Sequence, residues 1–243
     1  MIVDAGTGIR LLGDALTRRE QHGNLLLLIT HVHWDHLLGF PFFRPIFDDC
    51  CHIAVDGFRN GPEGLKAVFS RDHVDGTWPL SFKDLKARIE PRNRLVSGPL
   101  VIDGTRIESH PLQHPQGGMG FKFIEETGVF VFLTDNELRD DGWTGTCFKD
   151  FVRFCRNADL LVHDCQYIPE EMAVHRGWGH SDLDSVVRLA IEARVKRLLL
   201  FHHDPWRTDQ EVAEMVTRCR ELLAAANADV ESDAAREGLI VTV

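Results

Sequence analysis

"THVHWDHLLGF", residues 30–40, places three histidines and an aspartate within His31–His36, directly behind the apolar run "NLLLLI" at 24–29. Imidazole and carboxylate are lone-pair donors, and gathering four of them is unfavourable unless a cation sits between them. The unbroken apolar run predicts a strand covered on both faces, with the donors at its C-terminal mouth. The stretch therefore predicts a metal centre built on a strand end.

Further donors recur at the ends of other predicted strands. "RIESHPLQ" leads to His114, "FVFLT" to Asp135, and "RLLLF" to His202 and His203. Rigid strands that deliver ligands to one sheet edge are a sound scaffold for a two-metal site.

Around these points the chain alternates strand and helix. "MIVDAGTGIR" reads as a strand end, a glycine turn and a helix with Ile9, Leu12 and Leu16 on one stripe. "CHIAVDGF" predicts a strand, "GPEGLKAVFS" a short helix, and residues 72–100 a surface excursion with a helix over 81–88. A hairpin turn is expected at Asp103-Gly104 and another at Glu126-Thr127-Gly128. Helices are expected over 147–157, after Ser181 with Asp184 completing a capping box, and after Thr208 with Glu211 doing the same. "GLIVTV" predicts a closing strand. Strands first, then strand–helix alternation, predict one α/β domain over 1–243, a sandwich of two mixed sheets with helices outside.

The 243 residues are 44% hydrophobic, with a formal charge of −10 and a pI near 5.7. Such an acidic chain gives no general attraction for nucleic acid or anionic membrane. No run is long and apolar enough to span a bilayer, and the start reads as no signal peptide. Six cysteines without a C-x-x-C pair point to free thiols in a reducing cytoplasm.

H-x-H-x-D-H, a later histidine, an aspartate after an apolar strand and a final histidine together resemble the metallo-β-lactamase superfamily. The likeness runs from "DAGTG" at 4–8 to "LLLFHH" at 198–203. It implies a four-layer αββα sandwich in which His31, His33 and His114 bind one divalent ion and Asp35, His36 and His202 bind a second. Asp135 would bridge the two. Zinc suits this N/O set, and manganese or iron are alternatives. His202 stands where the family has its last histidine, while His203 beside it competes for the place. Two such ions, about 3.5–4 Å apart, activate water and polarise the electrophile, so hydrolysis is the expected reaction. Histidine at 33 argues against the H-x-E-x-D flavodiiron branch.

"GWGHSD", at 177–182, resembles the H-S-T segment of the tRNase Z-like and cyclic-nucleotide-phosphodiesterase-like branch. There His180 would face the scissile phosphate and Asp164 would orient it, so Asp35, Asp164 and His180 form the expected catalytic set. The tRNA-gripping arm of true tRNase Z would fall between His114 and Asp135, which are only 21 residues apart here. That argues against tRNA and for a small phosphodiester such as a cyclic nucleotide. The resemblance implies strands ahead of D-A-G-T-G, which opens this sequence at Asp4; the expectation is either a trimmed start or a short first sheet whose edge a partner copy covers, homodimers being frequent in the resembled branch. Phe42 and Phe43 are expected to fill space behind the site, Trp178 is a candidate for stacking on a base or lining the pocket, and Tyr167 is a candidate hydrogen-bond donor near the metals. The competing expectations are a hydrolase of carboxyl derivatives (lactonase, thioesterase or β-lactamase type) and an inactive metal-binding module.

Overall fold

The apolar run ahead of the histidine motif forms β2 (Asn24–Ile29), an inner strand of a four-stranded parallel sheet. The computed structural model describes residues 1–19, 23–69 and 79–243, which divide into two units, Met1–Gly98 and Pro99–Val243. In the first unit the sheet order is β1 (Ile2–Val3), β2, β3 (His52–Gly57) and β4 (Arg88–Pro91). Leu27 and Ile29 face a core of Phe40, Phe43, Ile46, Ile53, Val55 and Leu65. Leu26 and Leu28, on the opposite face, are buried as well. Both faces of β2 exclude water, which is why its sequence shows no polar alternation.

Two helices flank these strands, α1 (Ile9–Arg18) and α2 (Gly61–Ala67). On α1, Ile9 is buried and Leu16 is packed against the core, but Leu12 is exposed. The expected helix over 81–88 is a single 3-10 turn, Phe82–Asp84, closed by reciprocal hydrogen bonds between Ser81 and Asp84. Pairing with β3 then claims Arg88–Pro91 as β4, so the helix goes no further. Residues 72–78 of the expected excursion lie outside the described residues.

The second unit holds a seven-stranded mixed sheet in the order β11-β10-β9-β8-β7-β6-β5. Its meander is β5 (Leu100–Ile102), β6 (Thr105–Pro111), β7 (Met119–Ile124) and β8 (Val129–Leu133), paired antiparallel. From β8 onward β9 (Leu160–Asp164), β10 (Arg197–Phe201) and β11 (Glu231–Ala234) run parallel. Helices α3 (Phe148–Cys155), α5 (Leu183–Ala193) and α6 (Asp209–Ala225) bury Phe148, Phe151, Val186, Ala190, Met215 and Leu223 against Val131, Leu133, Leu161, Leu198 and Leu200. A one-turn helix, α4 (Met172–His175), precedes the loop to α5.

Two expectations fail here. The cap of α5 is Asp182, whose carboxylate accepts from Ser185 N–H; Ser181 spends its hydroxyl on the Asn136 carbonyl and receives Leu138 N–H. "GLIVTV" is no strand: the edge of β10 is already paired with the polar "ESDA" of β11. Leu239 and Val241 instead pack side chains against Leu160, Val162 and Leu199, as Phe130, Phe132 and Phe201 also do. A charged edge strand discourages further pairing.

Candidate metal centre

Beyond Ile29 the chain leaves β2 and turns through a single 3-10 turn, Trp34–His36. His31 is buried, and its ring meets His33 edge-on at 4.6 Å and His36 at 4.1 Å. The turn sets Asp35 beside His36, with Oδ2 3.1 Å from Nε2, and leaves the Asp35 side chain 60% exposed. One loop after one strand thus groups four donors.

The support for that loop comes from β1. Asp4, just past the strand, accepts Thr30 N–H at 2.7 Å, Thr30 Oγ1–H at 2.7 Å and His36 Nδ1–H at 2.8 Å. It does so in the left-handed region, φ 59°, where few side chains other than Asn or Asp settle. Gly6 and Gly39 let the two segments touch: a Cβ on Gly39 would lie 1.9 Å from the Gly6 carbonyl oxygen.

In the second unit the donors arrive separately. His114 follows β6, Asp135 follows β8 and His202 follows β10. His114 and Asp135 offer ligand atoms within 4.8 Å of each other, and His202 Nε2 lies 3.4 Å from Asp135 Oδ2. Asp135 and His202 both adopt positive φ, 48° and 54°. Backbone strain of this kind persists only where the surroundings enforce it. Thr134 Oγ1 donates to Asp135 Oδ1 at 2.6 Å and fixes the carboxylate.

Asp164 ends β9 with no solvent exposure. Its oxygens accept N–H from Asn136, Gln166 and Ser181, and Oδ2 takes His180 Nδ1–H at 2.7 Å. His180 lies parallel to His202 with centroids 5.1 Å apart and meets His114 edge-on at 5.6 Å. Asp164 and His180 therefore stand together beside the second unit's donors. Tyr167 is buried with its ring toward His180 at 6.1 Å, and burial pushes its phenol up to about 12. Trp178 is exposed; Phe43 is buried as expected, but Phe42, which ends the 3-10 turn Phe40–Phe42, faces solvent while Phe40 and Phe43 on either side of it enter the core.

The residues fit divalent metal. His36 and His114 each commit Nδ1–H to an oxygen acceptor, Asp4 and the Gly179 carbonyl, and His31 Nδ1 lies 3.1 Å from Thr30 Oγ1. Anchoring one ring nitrogen this way fixes the tautomer and presents Nε2 as the ligand atom, the usual arrangement of metal-binding histidine. The mixture of imidazole and carboxylate suits zinc, manganese or iron. His203 belongs to neither group of converging donors; burial, then Arg207 and His202, push its pKa down.

Sequence reading passed over Asp4, Asn136 and Glu137, the residues that hold the donors. Only Asp4 carried a signal, as the first residue of "DAGTG".

Residues 1–203 match the model of the beta-lactamase superfamily domain, and the chain belongs to that family, the metallo-β-lactamase superfamily, in its tRNase Z-like branch. It is similar to Ribonuclease Z of Latilactobacillus sakei subsp. sakei (strain 23K), 25% identical over 256 residues, covering 85% of this chain and 77% of the relative. Among solved structures it is similar to the metallo-beta-lactamase fold protein YhfI from Bacillus subtilis, at TM-score 0.70 and 17% identity, covering 98% of this chain and 85% of that one. It is also similar to a diphosphatase from the PhnP family, at TM-score 0.65 and 18% identity, covering 98% and 78%. The chain is a mixed α/β protein with two sheets and a metallo-β-lactamase fold hydrolase. No helix among the described residues is long and apolar enough to cross a membrane.

Proposed function

We propose that this hydrolase is a dinuclear, metal-dependent phosphodiesterase whose substrate is a small phosphodiester such as a cyclic nucleotide. The observation that carries the reading is the His180–Asp164 pair, at 2.7 Å, beside His114 and His202. His31, His33 and His114 would hold one ion, Asp35, His36 and His202 the other, and Asp135 both. When bound, such ions supply Lewis acidity toward water and the phosphate at neutral pH. Asp164 accepts His180 Nδ1–H and stabilises the imidazolium, so that Nε2–H can pass its proton to the leaving oxygen. The loop before α5 holds that ring in place.

Two further points favour a small phosphate ester. Between His114 and Asp135 the chain forms only the β7–β8 hairpin, closed by Glu125 N–H on the Gly128 carbonyl, where tRNA-processing members carry an arm. The similar proteins include a ribonuclease and a diphosphatase by name, both acting on phosphate linkages. Six free thiols fit a cytoplasmic setting, and a homodimer belongs to the same reading.

The test is hydrolysis of bis-p-nitrophenyl phosphate and of 2′,3′- and 3′,5′-cyclic nucleotides. EDTA should abolish turnover and zinc or manganese should restore it. His180→Ala should lower kcat about 10²–10⁴-fold with metal content intact. Turnover of lactones or thioesters that ignores His180→Ala would assign the site to carboxyl derivatives instead.

A further inference from the structure

Glu137 is 1% exposed and stands two residues past Asp135, yet it takes no part in the chemistry described so far. A carboxylate that deep is unfavourable unless it is hydrogen-bonded. Its Oε2 accepts two backbone amides of one loop, Gly177 N–H at 2.8 Å and Gly179 N–H at 3.1 Å. Oε1 lies 3.6 Å from the Arg139 guanidinium.

The loop so held touches two imidazoles. The Gly179 carbonyl meets His114 Nδ1 at 3.2 Å, and the next residue, His180, reaches Asp164. Gly179 has φ 94°, and a Cβ there would sit 2.1 Å from His114 Nδ1 and 2.6 Å from Pro115 Cδ. The backbone therefore abuts the His114 ring at Nδ1 with no room for a side chain. Downstream the chain has its own fastening, through Ser181 to Asn136, Leu138 and Asp164. What Glu137 adds is the course of residues 177–179, the part that faces His114.

We infer that Glu137 is a positioning residue: by clamping the Gly177 and Gly179 amides it sets the ring of His114 and the approach of His180 together. The inference rests on the reading of His114 as a metal ligand and His180 as the proton donor to phosphate. The carboxylate acts through the loop and touches neither metal nor substrate.

The experiment compares Glu137→Ala, which removes the acceptor, with Glu137→Gln, which keeps a carbonyl oxygen where both amides point. Zinc affinity is read by competition with a chromogenic chelator, kcat on bis-p-nitrophenyl phosphate, and amide hydrogen exchange at Gly177 and Gly179. Glu137→Ala should deprotect both amides and weaken zinc about 10–100-fold, with kcat falling in step. Glu137→Gln should recover both to within about fivefold of the parent. Deprotected amides with zinc affinity and kcat within about twofold of the parent would overturn the positioning role and leave Glu137 a stabilising contact. Should Glu137→Ala not fold, Gly179→Ala perturbs the same ring with the carboxylate in place. It should weaken zinc and move the His114 imidazole nitrogen signals; unchanged zinc affinity there also overturns the role. A parent protein that takes up no zinc and cleaves no phosphodiester would bring down the functional reading, and the positioning role with it. Exchange at the two amides would then still report whether Glu137 holds the loop.

Discussion

In the first unit four donors occupy one loop after one strand, whereas in the second unit His114, Asp135 and His202 each come from a different strand end. The first group needs little outside help: chain connectivity keeps its donors adjacent, and Asp4 ties the turn to β1 and β2. The second group is adjacent only because a sheet and several loops make it so. Two of its members sit at positive φ, and its surroundings include Asp164, Asn136 and Glu137 among the buried polar residues. Connectivity does for one half what buried hydrogen bonds do for the other.

The largest expected effect breaks the scattered half. Asp135 is 2% exposed, and on the proposed assignment it touches both ions. Asp135→Ala should cost kcat at least about 10³-fold and deplete both metals, because the ligand common to the two is gone. His33→Ala, in the contiguous half, should deplete one. Metal analysis of the two purified variants decides the matter; an Asp135→Ala protein that keeps two ions per chain would refute the bridging assignment.

A smaller effect tests the contiguous half through its support. Asp4→Asn tolerates φ 59° and keeps one oxygen, but it replaces the other acceptor with an N–H donor beside Thr30 and His36. Zinc affinity should fall about 10–100-fold while the fold persists. Chelator competition at constant pH measures it. An unaltered affinity would show that the turn holds His36 without help, which would make the contrast between the halves sharper still.

This contrast also explains what the sequence made legible. His31–His36 can be read because four donors in six residues are chemically improbable without a cation, whatever the fold. His114, Asp135 and His202 are weaker signals, given weight by the apolar runs before them. Asp4 and Glu137 act at a distance of many residues, through a left-handed backbone angle and through amides of glycines, and neither leaves a periodic trace. The same holds for the fold. "LLLLI" announces a doubly covered strand, but "GLIVTV" and "ESDA" mislead, since pairing with β10 depends on which segment reaches its edge and not on apolar content. Ser181 and Asp184 fit a capping box on paper; the Asn136 carbonyl and Leu138 amide claim the Ser181 hydroxyl and leave the cap to Asp182.

The smallest effect separates the two units by acid. His110, on β6, lies against Phe151 and Phe154 with centroids 4.9 and 5.0 Å away, and burial pulls its pKa below the ordinary 6.5 despite the Nδ1–H bond to the Pro111 carbonyl. His163, fully buried on β9, is lowered for the same reason, with Asn136 Nδ2 donating to its Nε2. A depressed pKa means that the unfolded chain binds the proton more readily. These groups therefore support the fold fully above about pH 6.5 and lose that support as pH falls through their folded values. In the first unit Glu90 is lowered by hydrogen bonds from Arg88 and His52, and it acts only below 4.5. Acidification from pH 7.5 to 5.5 should thus loosen the second unit. Hydrogen exchange resolved by segment reads the difference, and His110→Phe, which keeps the ring and removes the titration, should flatten the slope in Pro99–Val243 alone. If both units loosen together, and the variant follows the parent, burial of these histidines does not set the acid response.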